Sequence, residues 1–150
     1  MKKILLTAAI IIFISFSYTG LNAQEKLSIG KVFDKDLAEV VFGKIHFSYL
    51  IKKNVIKKIM NDTTDIITFK VTDEKLAIFN KHRKAIHPAD ATVGPEEPCY
   101  LFSKDKIEEL LNKNKKKDKT ISVEMRGSSV TLSSDEFILD QSWICPPICP

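Results

Sequence analysis

The chain has 150 residues, 44% of them hydrophobic and 28% charged, with five glycines and six prolines. That balance excludes a disordered or collagen-like chain and suffices for one domain with its own core. The formal charge is +4, falling to about +2 once Lys2 and Lys3 are set aside with the leader they belong to. So weak a field gives no drive toward nucleic acid or an anionic membrane surface.

Lys2 and Lys3 precede an apolar run from Ile4 to Ile14, broken only by Thr7. A looser stretch, Ser15 to Gly20, leads to Leu21-Asn22-Ala23 before Gln24. A positive end, an apolar centre and a small residue at the cut form the order of a secretory signal peptide, with cleavage expected after Ala23. The alternative, an uncleaved anchor, needs every polar residue of the 15–19 stretch to be counted and then only reaches the short limit of a spanning helix. No cysteine follows the cut to carry a lipid, and no second apolar run of spanning length lies downstream. The expectation is an exported protein, periplasmic or extracellular, with no membrane span after cleavage. It divides into signal peptide 1–23, globular domain 24–142 and a Cys/Pro-rich tail 143–150.

Residues 24–33 read as a short edge strand carrying Leu27, Ile29 and Val32. Asp34 suits the N-cap of a helix through Leu37, Val40 and Val41, with Asp36 and Glu39 in its first turns. In His46–Met60 the residues Phe47, Ile51, Val55 and Ile59 recur every fourth position, which predicts an amphipathic helix stopped at Asn61. Asp65–Val71 has strand composition. Glu74–Ala85 reads as a helix or as a hairpin partner of that strand, ended in either case by Pro88. Cys99–Phe102 is a second apolar strand, and Ser103 is placed to cap a helix over Lys104–Lys113 with Ile107, Leu110 and Leu111 inward.

The end of the chain alternates. Ile121, Val123 and Met125 interleave with Ser122, Glu124 and Arg126, the pattern of a strand with one wet face. Gly127-Ser128 supplies a turn, Val130 and Leu132 resume the alternation, and Phe137–Leu139 reads as a further strand. No internal sequence repeat is visible. Early helices with strands clustered late predict an α+β fold, helices packed on a mainly antiparallel sheet.

Three cysteines remain to be placed. Export turns Cys99, Cys145 and Cys149 into disulfide candidates. A local Cys145–Cys149 bridge is awkward, because Pro147 pushes Pro146 toward extended geometry. A polyproline path over four steps separates the Cα atoms by roughly 12 Å, against less than about 7 Å in a disulfide. A turn with Pro147 second and Ile148 third would close that gap. A Cys99–Cys145 bridge would close a loop of about 46 residues, worth roughly 4 kcal/mol against about 2 kcal/mol for the five-residue loop. A long-range bridge to either tail cysteine is therefore the favoured expectation, leaving one odd thiol.

The same tail has a second reading. Two thiols four apart can close on one soft ion such as Cu(I), or cycle between dithiol and disulfide. The string Cys145-Pro-Pro-Ile-Cys149-Pro150 resembles the Cys-Pro-x-x-Cys-Pro copper-binding segment of Sco-type metallochaperones, which work outside the cytoplasm. The resemblance implies Cys145 and Cys149 as metal thiolates in a thioredoxin-like fold, with a histidine ligand from later in the chain. It covers six residues, and His46, His82 and His87 all precede it. No third ligand carries over.

His82 and His87 are five apart, the wrong spacing for one helix face, so no metal site is assigned from histidines. There is no nucleophile elbow around Gly127-Ser128 and no glycine-rich phosphate loop. The pairs Glu96-Glu97 and Glu108-Glu109 read as solvated neighbours, and Asn112–Lys119 as a solvated helix end. No catalytic residue and no cofactor is expected. The segment His87–Pro98, with three prolines and three acids, is long for a connection in a small domain. Its His87, Asp90, Glu96 and Glu97 are the best candidates for a contact surface, against the alternative of a proline-stiffened connector. The expected function is a non-enzymatic binding module for an unknown protein or cell-envelope partner. The alternative is a thiol-based Cu(I) carrier or redox protein using Cys145 and Cys149.

Overall fold

A computed structural model describes residues 28–63, 65–72, 75–115 and 120–145. The signal-peptide expectation over 1–23, and Cys149 with the rest of the tail beyond Cys145, lie outside the described residues. In chain order the elements are β1 (Lys31–Asp34), a 3-10 turn (Lys35–Leu37), α1 (Ala38–Phe42), β2 (Ile45–Ile51) and α2 (Lys53–Asp62). There follow β3 (Ile66–Val71), β4 (Leu76–Asn80), β5 (Ala85–His87), β6 (Cys99–Ser103) and α3 (Lys104–Lys113). The described chain closes with β7 (Ile121–Arg126), β8 (Ser129–Ser134), β9 (Phe137–Asp140) and β10 (Trp143–Cys145).

The strands form two five-stranded antiparallel sheets, ordered β1-β9-β8-β7-β2 and β10-β6-β3-β4-β5. With three short helices among the described residues, the architecture is α+β, as the composition of segments suggests. The two sheets share one core. Val123, Val130, Leu132 and Leu139 from the first meet Ile67, Phe69, Ile78 and Phe102 from the second, joined by Ile56 and Ile59 of α2 and Ile107, Leu110 and Leu111 of α3.

The order of elements repeats although the sequence does not. A strand, a helix and three strands (β2-α2-β3-β4-β5) are followed by the same series (β6-α3-β7-β8-β9). Each half gives its opening strand to the other half's sheet: β2 pairs with β7, and β6 pairs with β3. The remaining strands, β1 and β10, are added at one edge of each sheet.

The structure corrects or decides several expectations. First, 45–51 is a strand, not the start of a helix, and the helix begins only at Lys53. A spacing of four is an even number, so Phe47 and Ile51 share a strand face as readily as a helix face. Tyr49 separates the cases: it packs against the core with Ile51 and lies edge-on to Phe47 at 4.6 Å, where a helix would turn it away. Second, of the two readings of 74–85 the hairpin is the one formed, and β3-β4-β5 is a meander. Third, the segment after Asp34 turns through 3-10 geometry into a five-residue helix ended by Gly43, and Asp34 makes no side-chain cap. Leu37, Val40 and Val41 face solvent, and Ala38 is the buried residue.

The wet face predicted for β7 is also dry. Glu124 and Arg126 are 3% and 4% exposed, because the 35–43 segment crosses that outer face. Phe42 packs edge-on against Phe33 at 5.3 Å, and Arg126 Nη1 donates to the Gly43 carbonyl at 3.0 Å. Arg126 Nε and Nη2 donate to one Glu124 oxygen at 3.0 and 2.8 Å, and Ser133 Oγ donates to the other. Every oxygen and nitrogen of this pair has a partner, the condition under which a buried ion pair is tolerated.

Ser103 does stand at the N-cap of α3, whose buried stripe is Ile107, Leu110 and Leu111 as predicted. Its hydroxyl serves elsewhere: it accepts the Ile29 N–H at 2.6 Å, while Ser103 N donates to the Ile29 carbonyl at 2.9 Å. Gly30 follows with φ of 108°, where an added Cβ would meet Leu139 Cδ1 at 2.8 Å. The chain entering β1 is thus wedged between the sheets.

Candidate functional site

The outer face of the second sheet is where the sequence candidates gather. Strand alternation sets Thr68 and Lys70 of β3 beside Phe79 and Ala77 of β4, and Leu101 of β6 beside Trp143 of β10. The long 88–98 connection folds back over this face. Val93 packs onto a small second core of Ile29, Cys99, Leu101 and Cys145, flanked by Ile66 and Trp143.

Two cations hold the connection down. Arg83, in left-handed geometry at φ of 57°, donates from Nη1 to the carbonyls of Gly94 at 2.8 Å and Pro95 at 3.3 Å. Lys70 Nζ donates to Glu97 Oε1 at 2.7 Å and to the Thr92 carbonyl at 3.4 Å. The other Glu97 oxygen accepts the Gly94 N–H, and Glu97 N donates back to Gly94 O at 3.3 Å. The Lys70 ammonium, helped by the Gly94 N–H, holds the Glu97 carboxyl below its ordinary value. The connection is a fixed cover.

Its first part, 88–92, does not lie flat. Pro88, Asp90, Ala91 and Thr92 form one wall of a groove of about 430 Å³, and Lys70, Thr72, Lys75, Leu76 and Ala77 of the β3–β4 hairpin form the other. That volume falls within the range of small-ligand and peptide clefts. Asp90 and Lys75, both exposed, put opposite charges on facing walls. The four predicted contact residues are therefore divided. Asp90 lines the groove, Glu97 is the tether behind it, and Glu96 is exposed at the turn. His87 faces a separate groove with Tyr49, Lys52 and Val55, where no carboxylate among the described residues lines the wall to orient its ring.

The cysteines are brought together in part. Strand β10 pairs with β6 so that Cys145 stands directly opposite Cys99, both buried. Cys99 nevertheless carries a free thiol, so the favoured long-range bridge from Cys99 to the tail is not formed. Its Sγ donates to the Glu97 carbonyl at 3.6 Å, and Arg83 Nη2 lies 3.6 Å from Cys145 Sγ. Burial pushes the Cys99 thiol up, outweighing the nearby Arg83 and Lys70 charges. It stays protonated at neutral pH and is a poor nucleophile. The space between these sulfurs and Arg83 is about 40 Å³, room for a water but not a substrate.

His46 and His82 are exposed, and no three potential metal ligands cluster among the described residues. Glu108 and Glu109 pair along α3 with Lys104, Lys106 and Lys113. No helix among the described residues is long and apolar enough to cross a membrane. The two antiparallel sheets differ from the thioredoxin-like fold that the tail's resemblance implies.

Lys70 and Arg83, the residues that organise the groove, are absent from the sequence candidates. Lys70 carried one usable signal, a single charge among β3's otherwise uncharged residues. Arg83 carried none, since its partners lie eleven and twelve residues away in an irregular segment. Comparison with protein-family models, curated proteins and solved structures finds no match. Function is read from geometry alone.

Proposed function

We propose that the protein is an exported, non-enzymatic binding module whose contact surface is the groove between the 88–92 segment and the β3–β4 hairpin. The observation that carries this reading is the double tether of the connection by Arg83 and Lys70. A surface segment fixed before contact gives up little conformational freedom on binding, which is how a small polar groove gains affinity. The partner is a protein or cell-envelope component that places a basic group against Asp90 and an acidic or carbonyl group against Lys75. Recovery of partners from envelope extract, with the wild type and with Asp90→Lys combined with Lys75→Glu, tests it. The charge-reversed variant is expected to lose a partner that the wild type retains. Identical recovery would remove the groove as the contact.

Export is tested on the same preparation by sequencing the N-terminus, which is expected to begin at Gln24. A thiol-based metal or redox role is a second reading, favoured by one observation: two of the three cysteines face each other across β6 and β10. Its chemistry needs thiolates that a small ion can reach, whereas Cys145 is buried and disulfide-bonded, so that metal binding there requires reduction first. Intact mass before and after reduction, followed by Cu(I) titration, decides it. Stoichiometric Cu(I) uptake by Cys145 and Cys149 thiols would put this reading first.

A further inference from the structure

The two sheets expose four edges, and they are unequal. Strand β1 has four residues and carries Lys31 and Asp34, while β5 and β10 have three residues each. Short strands and charged ends are the ordinary protection of a sheet edge. Strand β2 has seven residues, Ile45-His-Phe-Ser-Tyr-Leu-Ile51, without an acid, a lysine, an arginine or a proline. Its one irregularity, between Ile45 and Phe47, affects only its start. Among the described residues no strand lies on its outer side. The repeated topology makes this pointed, because β6, the matching opening strand of the other half, has its outer side closed by antiparallel β10.

Exposed apolar groups also belong to the same sheet. Of the six large hydrophobic residues exposed in the described structure, Ile45 and Leu50 lie on β2 itself, and Leu37, Val40 and Val41 lie on the cover that crosses the outer face of the same sheet and ends just before β2. Val40 is 85% exposed and Leu50 65%. Exposed apolar side chains on an open edge strand mark a site of association.

We propose that β2 is a self-pairing edge: two copies of this chain join antiparallel through His46–Leu50 to make one continuous ten-stranded sheet. A two-fold axis at Ser48 sets Phe47 of each copy opposite Tyr49 of the other, and Leu50 beside His46. An isologous contact must be complementary to itself, and a strand without formal charge meets that condition along its length. It brings Lys44 of each copy near Lys52 of the other, just outside the strand at each rim. Salt screens that repulsion, so the association tightens as salt is raised. A partner strand with acidic ends would show the reverse. The edge belongs to the first sheet and the groove to the second, so either proposal can fail without the other.

Sedimentation velocity of the full chain, purified in the form the cell leaves it, across a dilution series from micromolar to hundreds of micromolar, tests this. A concentration-dependent monomer–dimer equilibrium that strengthens with salt is expected. Leu50→Lys, at an exposed position, is expected to weaken it by about tenfold or more, while Ile144→Lys on β10 leaves it unchanged. Ser48→Pro should abolish it. Should that variant misfold by circular dichroism, Leu50→Lys alone decides. A monomer at every concentration overturns the proposal. So does a dimer indifferent to Leu50→Lys, or one that loosens in salt.

Discussion

Both sheets have their outer faces covered by a connecting segment, and in both an arginine reaches a backbone carbonyl of the cover. Arg126 holds Gly43 over the first sheet, and Arg83 holds Gly94 over the second. The difference lies in what stands beside the arginine. Under the first cover the Arg126–Glu124 pair is sealed, at 4% and 3% side-chain exposure. Under the second the Lys70–Glu97 pair is half open, at 20% and 46%. A sealed pair is a structural commitment, while a half-open one holds a surface in place at the rim of a groove. The same device thus makes a wall on one side and a presented segment on the other.

The contrast is broken most directly at Arg126. Arg126→Ala strands the Glu124 carboxylate in a dry site and is expected to cost about 3–5 kcal/mol of unfolding free energy in urea titration. Replacing both partners, Glu124→Leu with Arg126→Met, should recover most of that loss, since an apolar pair needs no compensation. A loss under about 1 kcal/mol for the single change would put the pair in the ordinary surface class and erase the contrast.

Asp140 sharpens the first face further. Burial raises its carboxyl above the ordinary range, against the Gln141 N–H and Arg126, and its Oδ2 has no hydrogen-bond partner. A raised carboxyl favours folding when protonated, so this contribution is present in acid and is lost as pH rises through the raised value. Asp140→Asn should remove that slope and stabilise the neutral-pH protein by about 1 kcal/mol or less. Urea titrations of wild type and variant in mildly acidic and neutral buffer would show it as two curves that diverge toward neutral pH.

On the second face the expected effects are local. Lys70→Met should leave the unfolding midpoint nearly unchanged while the Gly94 amide exchanges roughly tenfold faster, because the cover opens without the domain unfolding. Unchanged exchange would mean that Arg83 alone holds the segment. Acid gives the smallest effect. Glu97 is depressed by Lys70, so its tether is intact above the ordinary carboxylate range and is released only as pH falls through the depressed value. The protection of the Gly94 amide, taken relative to its intrinsic exchange at each pH, should be lost late, only below the ordinary carboxylate range.

Legibility followed sequence distance. The β7–β9 meander was readable because alternation and the Gly127 turn are local, and α3 because its apolar stripe is continuous. Strand β2 was not, since an interval of four residues satisfies both periods. The burial of Glu124 and Arg126 was hidden because their cover, Ala38 to Gly43, lies more than eighty residues earlier in the chain. A charge pair at i and i+2 looks the same on a wet strand as under a lid. Of the contact candidates, the 87–98 stretch was visible from its length and prolines. Its anchoring was not, because Lys70 and Arg83 sit in segments that show no sign of their partners.

The exchange of opening strands between the halves also bears on the order in which the chain can be completed. Ser48 pairs with Glu124, about half the chain away, and Val32 with Leu139, farther still. A polypeptide emerging N-terminus first holds β1 and β2 with nothing to pair until β7 and β9 have been made. Such distant pairing makes folding slow and late. Neither half is a module: a break between β5 and β6 would leave β2 without a sheet and β3 without its neighbour. The molecule is assembled all at once, after its last strands have been made.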